Sequence, residues 1–159
     1  MDETAEDLDF LRLSEKWIRI VNKIDANEKS PRDFGTGDLL HCSEIHTVMA
    51  IGKNPSANIT SLSENLGISK SAISQMVKKL EKKDLVERWH DEGNRKDIRL
   101  LLTPRGKIAY LGHAQHHAKI YAGMYRRLGS LKNSEFDLIS HFLSAVEETF
   151  DECDEGIAP

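Results

Sequence analysis

Leu8, Leu11, Ile18, Val21 and Ile24, with Trp17 beside them, recur three, four or seven positions apart among charged and polar residues. That spacing predicts an amphipathic helix of about five turns. The run KSPRDFGTG (29–37) breaks the pattern with Pro and Gly and predicts a connecting loop. A second helix is expected to start near Ser43, turn Ile45, Val48 and Met49 inward and end in GKNPSAN. Thr60 is placed to cap a short helix that buries Leu62 and Leu66. Gly67 supplies the flexible position after it, and Ser69 can cap the next helix at once. In that next helix Ile73, Val77 and Leu80 form an i, i+4, i+7 stripe, leaving Lys70, Ser71, Ser74, Gln75 and Lys78 on the other side.

After Leu85 the period changes to two. VERWH, a turn at DEGN, and DIRLLL, in which Ile98, Leu100 and Leu102 alternate, predict a β-hairpin whose tip carries Asn94, Arg95 and Lys96. Thr103 followed by Pro104 marks the start of another helix, with Leu111, Ala114, Ala118, Tyr121, Tyr125 and Leu128 as its stripe. Ser134 with Asp137 resembles a capping box opening a last helix that should bury Phe136, Ile139, Phe142, Leu143, Val146 and Phe150. The closing DECDEGIAP reads as a frayed acidic tail.

The expected fold is mainly α with a small β-wing. A winged helix-turn-helix domain (41–103) is flanked by an N-terminal dimerisation helix and loop (1–40) and by C-terminal dimerisation helices with the acidic tail (104–159). The long striped helices exceed what the central unit can cover, so they are expected to cover each other in a homodimer; a closed monomeric bundle is the competing arrangement.

Charge sharpens this picture. The 159 residues carry a net -4, yet Gly67 to Lys107 holds 11 Lys and Arg against 6 Asp and Glu, a local +5 that leaves -9 for the rest. A basic segment within an acidic chain is an electrostatic footprint for a polyanion, unless it is simply a solvated helix face. Helix-turn-helix plus hairpin favours double-stranded DNA. The second helix fits the major groove with Ser69, Lys70, Ser71, Ser74, Gln75 and Lys78 facing it, while Arg95 and Lys96 of the wing reach an adjacent minor groove. A winged helix that binds only protein is the alternative. No apolar run approaches the roughly 20 residues of a membrane span, and MDETAEDLDF has no signal-peptide pattern, so a cytoplasmic location is expected. Cys42 and Cys153 form no CxxC pair, and Cys42 reads as a reduced thiol.

HAQHH (113–117) places His113 and His117 roughly 40° apart on one helix flank, with His116 toward water. An i, i+4 histidine pair can ligate one metal ion, although surface or interface histidines share that spacing. HAQHH lacks the Glu beside the first His that a zinc hydrolase uses as base, and no nucleophile constellation accompanies it, so an enzyme is not expected.

The run LSENLGISKSAISQMVKKLEKKDLVER, then NRKDIRLLLTPRGK, resembles the MarR family of dimeric winged-helix regulators, including its Leu-Thr-x-x-Gly signature at Leu102, Thr103 and Gly106. Asn94 departs from the Asp usual before the wing arginine. The resemblance implies a homodimer that reads a pseudo-palindromic DNA site. Within the family the chain resembles the zinc-sensing adhesin-competence repressor branch, whose tighter zinc site matches Glu28, His46, His113 and His117. At the positions of that branch's further site stand Phe34, Ile45 and Gly112, which cannot ligate. The resemblance therefore implies one zinc site per subunit, with zinc favouring DNA binding. A regulator of the same type answering to a small organic ligand is the alternative; a redox switch at Cys42 is disfavoured, since no resolving Cys lies nearby in sequence.

Overall fold

A computed structural model describes the backbone of residues 5–91 and 94–155 and the side chains of 9–90 and 98–152. The chain forms two compact units, Met1–His116 and His117–Pro159. The first contains α1 (Ala5–Glu28), a ribbon of β1 (Arg32–Asp33) and β2 (Leu39–Leu40), α2 (Cys42–Lys53), α3 (Ile59–Leu66), α4 (Lys70–Lys82), and the hairpin of β3 (Val86–Asp91) and β4 (Asn94–Leu102). Helix α5 (Pro104–Leu128) starts in the first unit and runs into the second, which also holds α6 (Asn133–Glu155). The architecture is the expected one: mainly helical, with a small antiparallel wing.

The core lies where α2, α3, α4 and the base of the wing converge. Val48 of α2, Leu62 of α3, and Ile73, Val77 and Leu80 of α4 are fully buried. The i, i+4, i+7 stripe of α4 thus supplies that helix's whole buried face, as its spacing demands. Gly67 ends α3 in the left-handed region at φ 65, and the Ile68 N–H returns to the Ser63 carbonyl. Ser69 caps α4, its hydroxyl accepting from the Ala72 N–H at 3.2 Å. The cap of α3, however, is Asn58 and not Thr60. Asn58 Oδ1 accepts from the Ser61 N–H, and Ser61 Oγ accepts from the Asn58 N–H, a reciprocal box that only a residue just outside the helix can close.

The wing pairs Val86 with Leu102 through His90 with Ile98, with an irregularity between His90 and Asp91. The Leu100 N–H donates to the Ala57 carbonyl at 2.8 Å, fixing the hairpin to the segment before α3. Because β4 already begins at Asn94, Arg95 and Lys96 belong to the strand; their side chains lie outside the described residues. At the base of the wing Thr103 joins three elements. Its hydroxyl donates to the Asp84 carbonyl at 2.6 Å and accepts from the Gly106 N–H at 2.9 Å, capping α5 as expected. Gly106 is needed because a Cβ there would stand 1.9 Å from the Leu85 carbonyl oxygen.

Three expectations are corrected. The loop at 29–37 contains β1, antiparallel to β2, and Asp33 holds it shut by accepting from the N–H groups of Gly35, Thr36 and Gly37. Helix α6 is closed by Glu135, whose carboxylate accepts from the Lys132 N–H at 2.7 Å, and not by Ser134 with Asp137. Phe136, Ile139, Leu143 and Phe150, expected to be buried, are exposed in the single chain. The stripe of α1 is exposed too, at Leu11, Ile18, Val21 and Ile24. Among the described residues no helix is long and apolar enough to cross a membrane.

A buried ion pair fastens α2 to the end of α4. Glu44 is only 5% exposed, and its carboxylate meets Lys83 Nζ at 2.7 Å while accepting from the His41 N–H at 2.9 Å. Lys83 also donates to the Leu39 carbonyl. Burial pushes the Glu44 carboxyl up, but the hydrogen bonds from Lys83 and His41 and the Lys83 charge together hold it below its ordinary value. A depressed acid contributes its stability above the unfolded-state pKa and loses it as pH falls. The urea midpoint should therefore drop as pH falls below the ordinary 4.5 of a glutamate. Lys83→Met should cost about 3 kcal/mol or more at neutral pH by stranding the buried carboxylate, and should reverse the acid-side slope.

Candidate functional site

Helix α4 presents a polar face shaped by its own core stripe. Lys70, Ser71, Gln75 and Lys78 are exposed, and Ser74 is half-buried. Ser69 is exposed as well, but its hydroxyl serves the cap and lies 2.9 Å from the Ser71 hydroxyl. The free N-terminal turn of such a helix suits a major groove, with amide and hydroxyl groups for base edges and ammonium groups for phosphates. The wing is tied to this helix by Arg88, whose Nε meets Glu81 Oε1 at 2.9 Å. Helix α4 and the first wing strand are thereby joined side chain to side chain.

A second constellation occupies the corner where α1 ends and α2 begins. Cys42 Sγ lies 3.5 Å from His46 Nδ1, one turn along α2. The Cys42 thiol also contacts the Glu28 carboxylate; burial first, then the charge and hydrogen bond of Glu28, push that thiol above its ordinary value. It therefore stays protonated. The His46 ring stands 5.7 Å from that of His113 on α5, edge to face. His113 is buried at 7% exposure, whereas His46 and Glu28 are exposed. His117 belongs to the second unit, its ring 5.9 Å from that of Tyr121.

The fold brings three pairs within reach, Glu28 with Cys42, Cys42 with His46, and His46 with His113; the family resemblance had implied Glu28, His46 and His113. Carboxylate and imidazole donors fit the chemistry of zinc, and two imidazoles on one tetrahedral zinc have ring centroids roughly 5 Å apart, close to the spacing of His46 and His113. Among the described residues, no three such side chains already converge tightly enough to hold a metal. Cys42 was not counted as a member of this corner, although its i, i+4 spacing to His46 was a visible signal.

His116, expected to face water, is half-buried. Its Nε2 meets Arg32 Nη1 at 2.9 Å, and its ring packs against Phe34 at 6.1 Å. Arg32 in turn donates to Asn27 near the end of α1. The β1–β2 ribbon is what covers this side of α5, and a reading that treated 29–37 as a plain loop had no reason to place it there. Phe34 also packs edge-on to His113 at 5.3 Å. Its backbone passes so close to α5 that a Cβ on Gly112 would stand 2.0 Å from the Phe34 carbonyl oxygen. The position that cannot ligate is thus the one that lets the ribbon reach the histidines.

The MarR family model matches residues 40–98, from β2 into β4. These residues form a MarR-family domain. The chain is 27% identical over 113 residues to the "Uncharacterized HTH-type transcriptional regulator YhjH" of Bacillus subtilis (strain 168), covering 70% of this chain and 65% of that relative. It therefore spans just under two thirds of the relative's length. Two solved structures are similar in fold. Streptococcus pneumoniae FabT, in complex with DNA, has a TM-score of 0.71 at 20% identity, covering 91% of this chain and 99% of that one. Lactococcus lactis ZitR, described as a zinc-responsive MarR family member, has a TM-score of 0.70 at 22% identity, covering 89% and 99%. The matched residues include α2, α3, α4 and β3, while Glu28, His113 and His117 lie outside them.

Gly112→Ala decides how tightly the ribbon is held. Alanine favours an α-helix over glycine by up to about 1 kcal/mol, whereas the clash with the Phe34 carbonyl should cost about 1–3 kcal/mol. A net loss of stability in urea denaturation is expected; a net gain would mean that the ribbon lifts freely from α5.

Proposed function

We propose that this protein is a MarR-type DNA-binding transcriptional regulator, a repressor acting as a homodimer on a pseudo-palindromic site, whose DNA affinity is controlled by zinc. It is not an enzyme. Ser69, Lys70, Ser71, Ser74, Gln75 and Lys78 of α4 are the major-groove residues, and Arg95 and Lys96 of the wing are the minor-groove ones. Glu28, His46, His113 and His117 are the metal ligands. The observation that carries the zinc reading is the approach of His46 and His113 at 5.7 Å, across two helices far apart in sequence. The zinc-responsive relative of similar fold supports it.

Zinc held by Glu28, His46, His113 and His117 would cross-link the segments that carry them. The residues themselves couple the corner to the reading head. Glu28 is the last residue of α1, His46 lies in the second turn of α2, and His113 lies on α5. Two residues before His46, Glu44 holds Lys83 at the end of α4, so a shift of α2 is felt by the recognition helix. Any preference of the ligated corner for one arrangement of α2 is then repaid as DNA affinity, by the same factor in both directions. Ligation needs unprotonated imidazoles, so the response weakens toward acid pH.

The test measures binding of the purified protein to DNA from upstream of its own gene, at one fixed salt concentration, with zinc and then with a chelator. Zinc should tighten binding by about 10-fold or more, the chelator should reverse it, and His46→Ala and His113→Ala should each abolish the response while leaving metal-free binding intact. Binding that ignores both zinc and chelator would end the zinc reading and leave the DNA reader with an organic effector.

A further inference from the structure

The wing stem carries a pair to which neither the metal corner nor the groove-facing residues give a role. Trp89 on β3 and Arg99 on β4 stand directly opposite each other in the hairpin. The Arg99 guanidinium carbon lies 5.6 Å from the Trp89 ring centroid, over the indole. The next pair along, Arg88 with Leu100, occupies the other face, where Leu100 enters the core and Arg88 is bound to Glu81. Side chains alternate along a strand, so Trp89 and Arg99 are turned away from the core, and Trp89 is left 42% exposed.

The partner of Arg99 sets it apart. Lys83, Arg88 and Arg105 are each matched by a carboxylate, from Glu44, Glu81 and Asp38 respectively. Among the described residues no carboxylate pairs with Arg99, not even Glu87, which is exposed two residues before Trp89. A carboxylate would orient the guanidinium and cancel its charge. An indole face orients it and leaves both the charge and the outer N–H groups available. A fork preset in this way, with no carboxylate on it among the described residues, is suited to a phosphate, which it can grip with two parallel hydrogen bonds.

The geometry points to Arg99 as a phosphate contact of the wing stem on double-stranded DNA, with Trp89 as its positioning residue. This rests on the DNA-reading function proposed above and adds to it a backbone contact four residues along β4 from Arg95. The contact carries no sequence information; it fixes how deeply the wing sits against the duplex.

The experiment uses the full chain and a mixed-sequence DNA duplex of about 30 base pairs, with affinity measured over a series of salt concentrations. Each phosphate contact contributes about 0.9 to the slope of log K against log salt, so Arg99→Gln should lower the slope by about 1 for each subunit engaged and weaken binding several-fold. Arg99→Lys should keep most of the slope while losing affinity, because an ammonium neither stacks nor forks. Trp89→Leu, which keeps the charge and an apolar side chain, should also bind several-fold more weakly. A wild-type slope and affinity in a folded Arg99→Gln protein would overturn the inference and leave the pair as hairpin packing. If Arg99→Gln does not fold, wild-type affinity in both Arg99→Lys and Trp89→Leu would overturn it equally. Wild-type protein showing no salt-dependent binding to duplex DNA would sink the DNA-reading function itself, and this contact with it.

Discussion

One hydroxyl group holds the base of the wing. Thr103 Oγ1 donates to the carbonyl of Asp84, in the turn that ends α4, and accepts from the N–H of Gly106, in the first turn of α5. The Thr103 N–H donates to the Leu85 carbonyl, which rests against the bare Cα of Gly106. Asp84 takes a positive φ of 54 to make the turn. Within these few residues the recognition helix ends, both wing strands meet their base, and the long helix departs. A side chain larger than hydrogen at 106 would separate all of them, which gives the Leu-Thr-x-x-Gly signature a physical reason independent of any family resemblance.

What the sequence disclosed depended on how local the deciding interaction was. The stripe of α4, the alternation of β4 and the cap at Thr103 are set by neighbours within a turn or a strand, and they were readable to the residue. The cap of α3 was misplaced because Asn58 and Thr60 are both chemically able to cap, and only the reciprocal bond with Ser61 separates them. The β1–β2 ribbon escaped because two-residue strands carry no period. Its consequences escaped with it: the contact of Arg32 with His116, and the passage of Phe34 over Gly112.

The candidate metal corner was legible as chemistry and illegible as packing. Spacing pointed only to the pair His113 and His117; Glu28 and His46 came from the family resemblance, and the thiol between them could not be assigned a place without the fold. The burial of Glu44 is the clearest limit of pattern reading. A charged residue in the first turn of α2 looks like a solvent-facing residue suited to the helix dipole, and nothing local reveals Lys83 arriving from 39 residues away. That pair makes α2 both the wall of the candidate corner and the support of the recognition helix.

The exposed stripes of α1 and α6 bear on what the word stability means for this chain. Ile18, Ile24, Phe136 and Phe150 are each at least half exposed to solvent in a single chain, an arrangement that water penalises in proportion to area. In the homodimer proposed above, those faces are buried only when two copies meet. Folding and assembly then share one free energy, and dilution acts on this protein as a denaturant does: its thermal midpoint becomes a function of protein concentration.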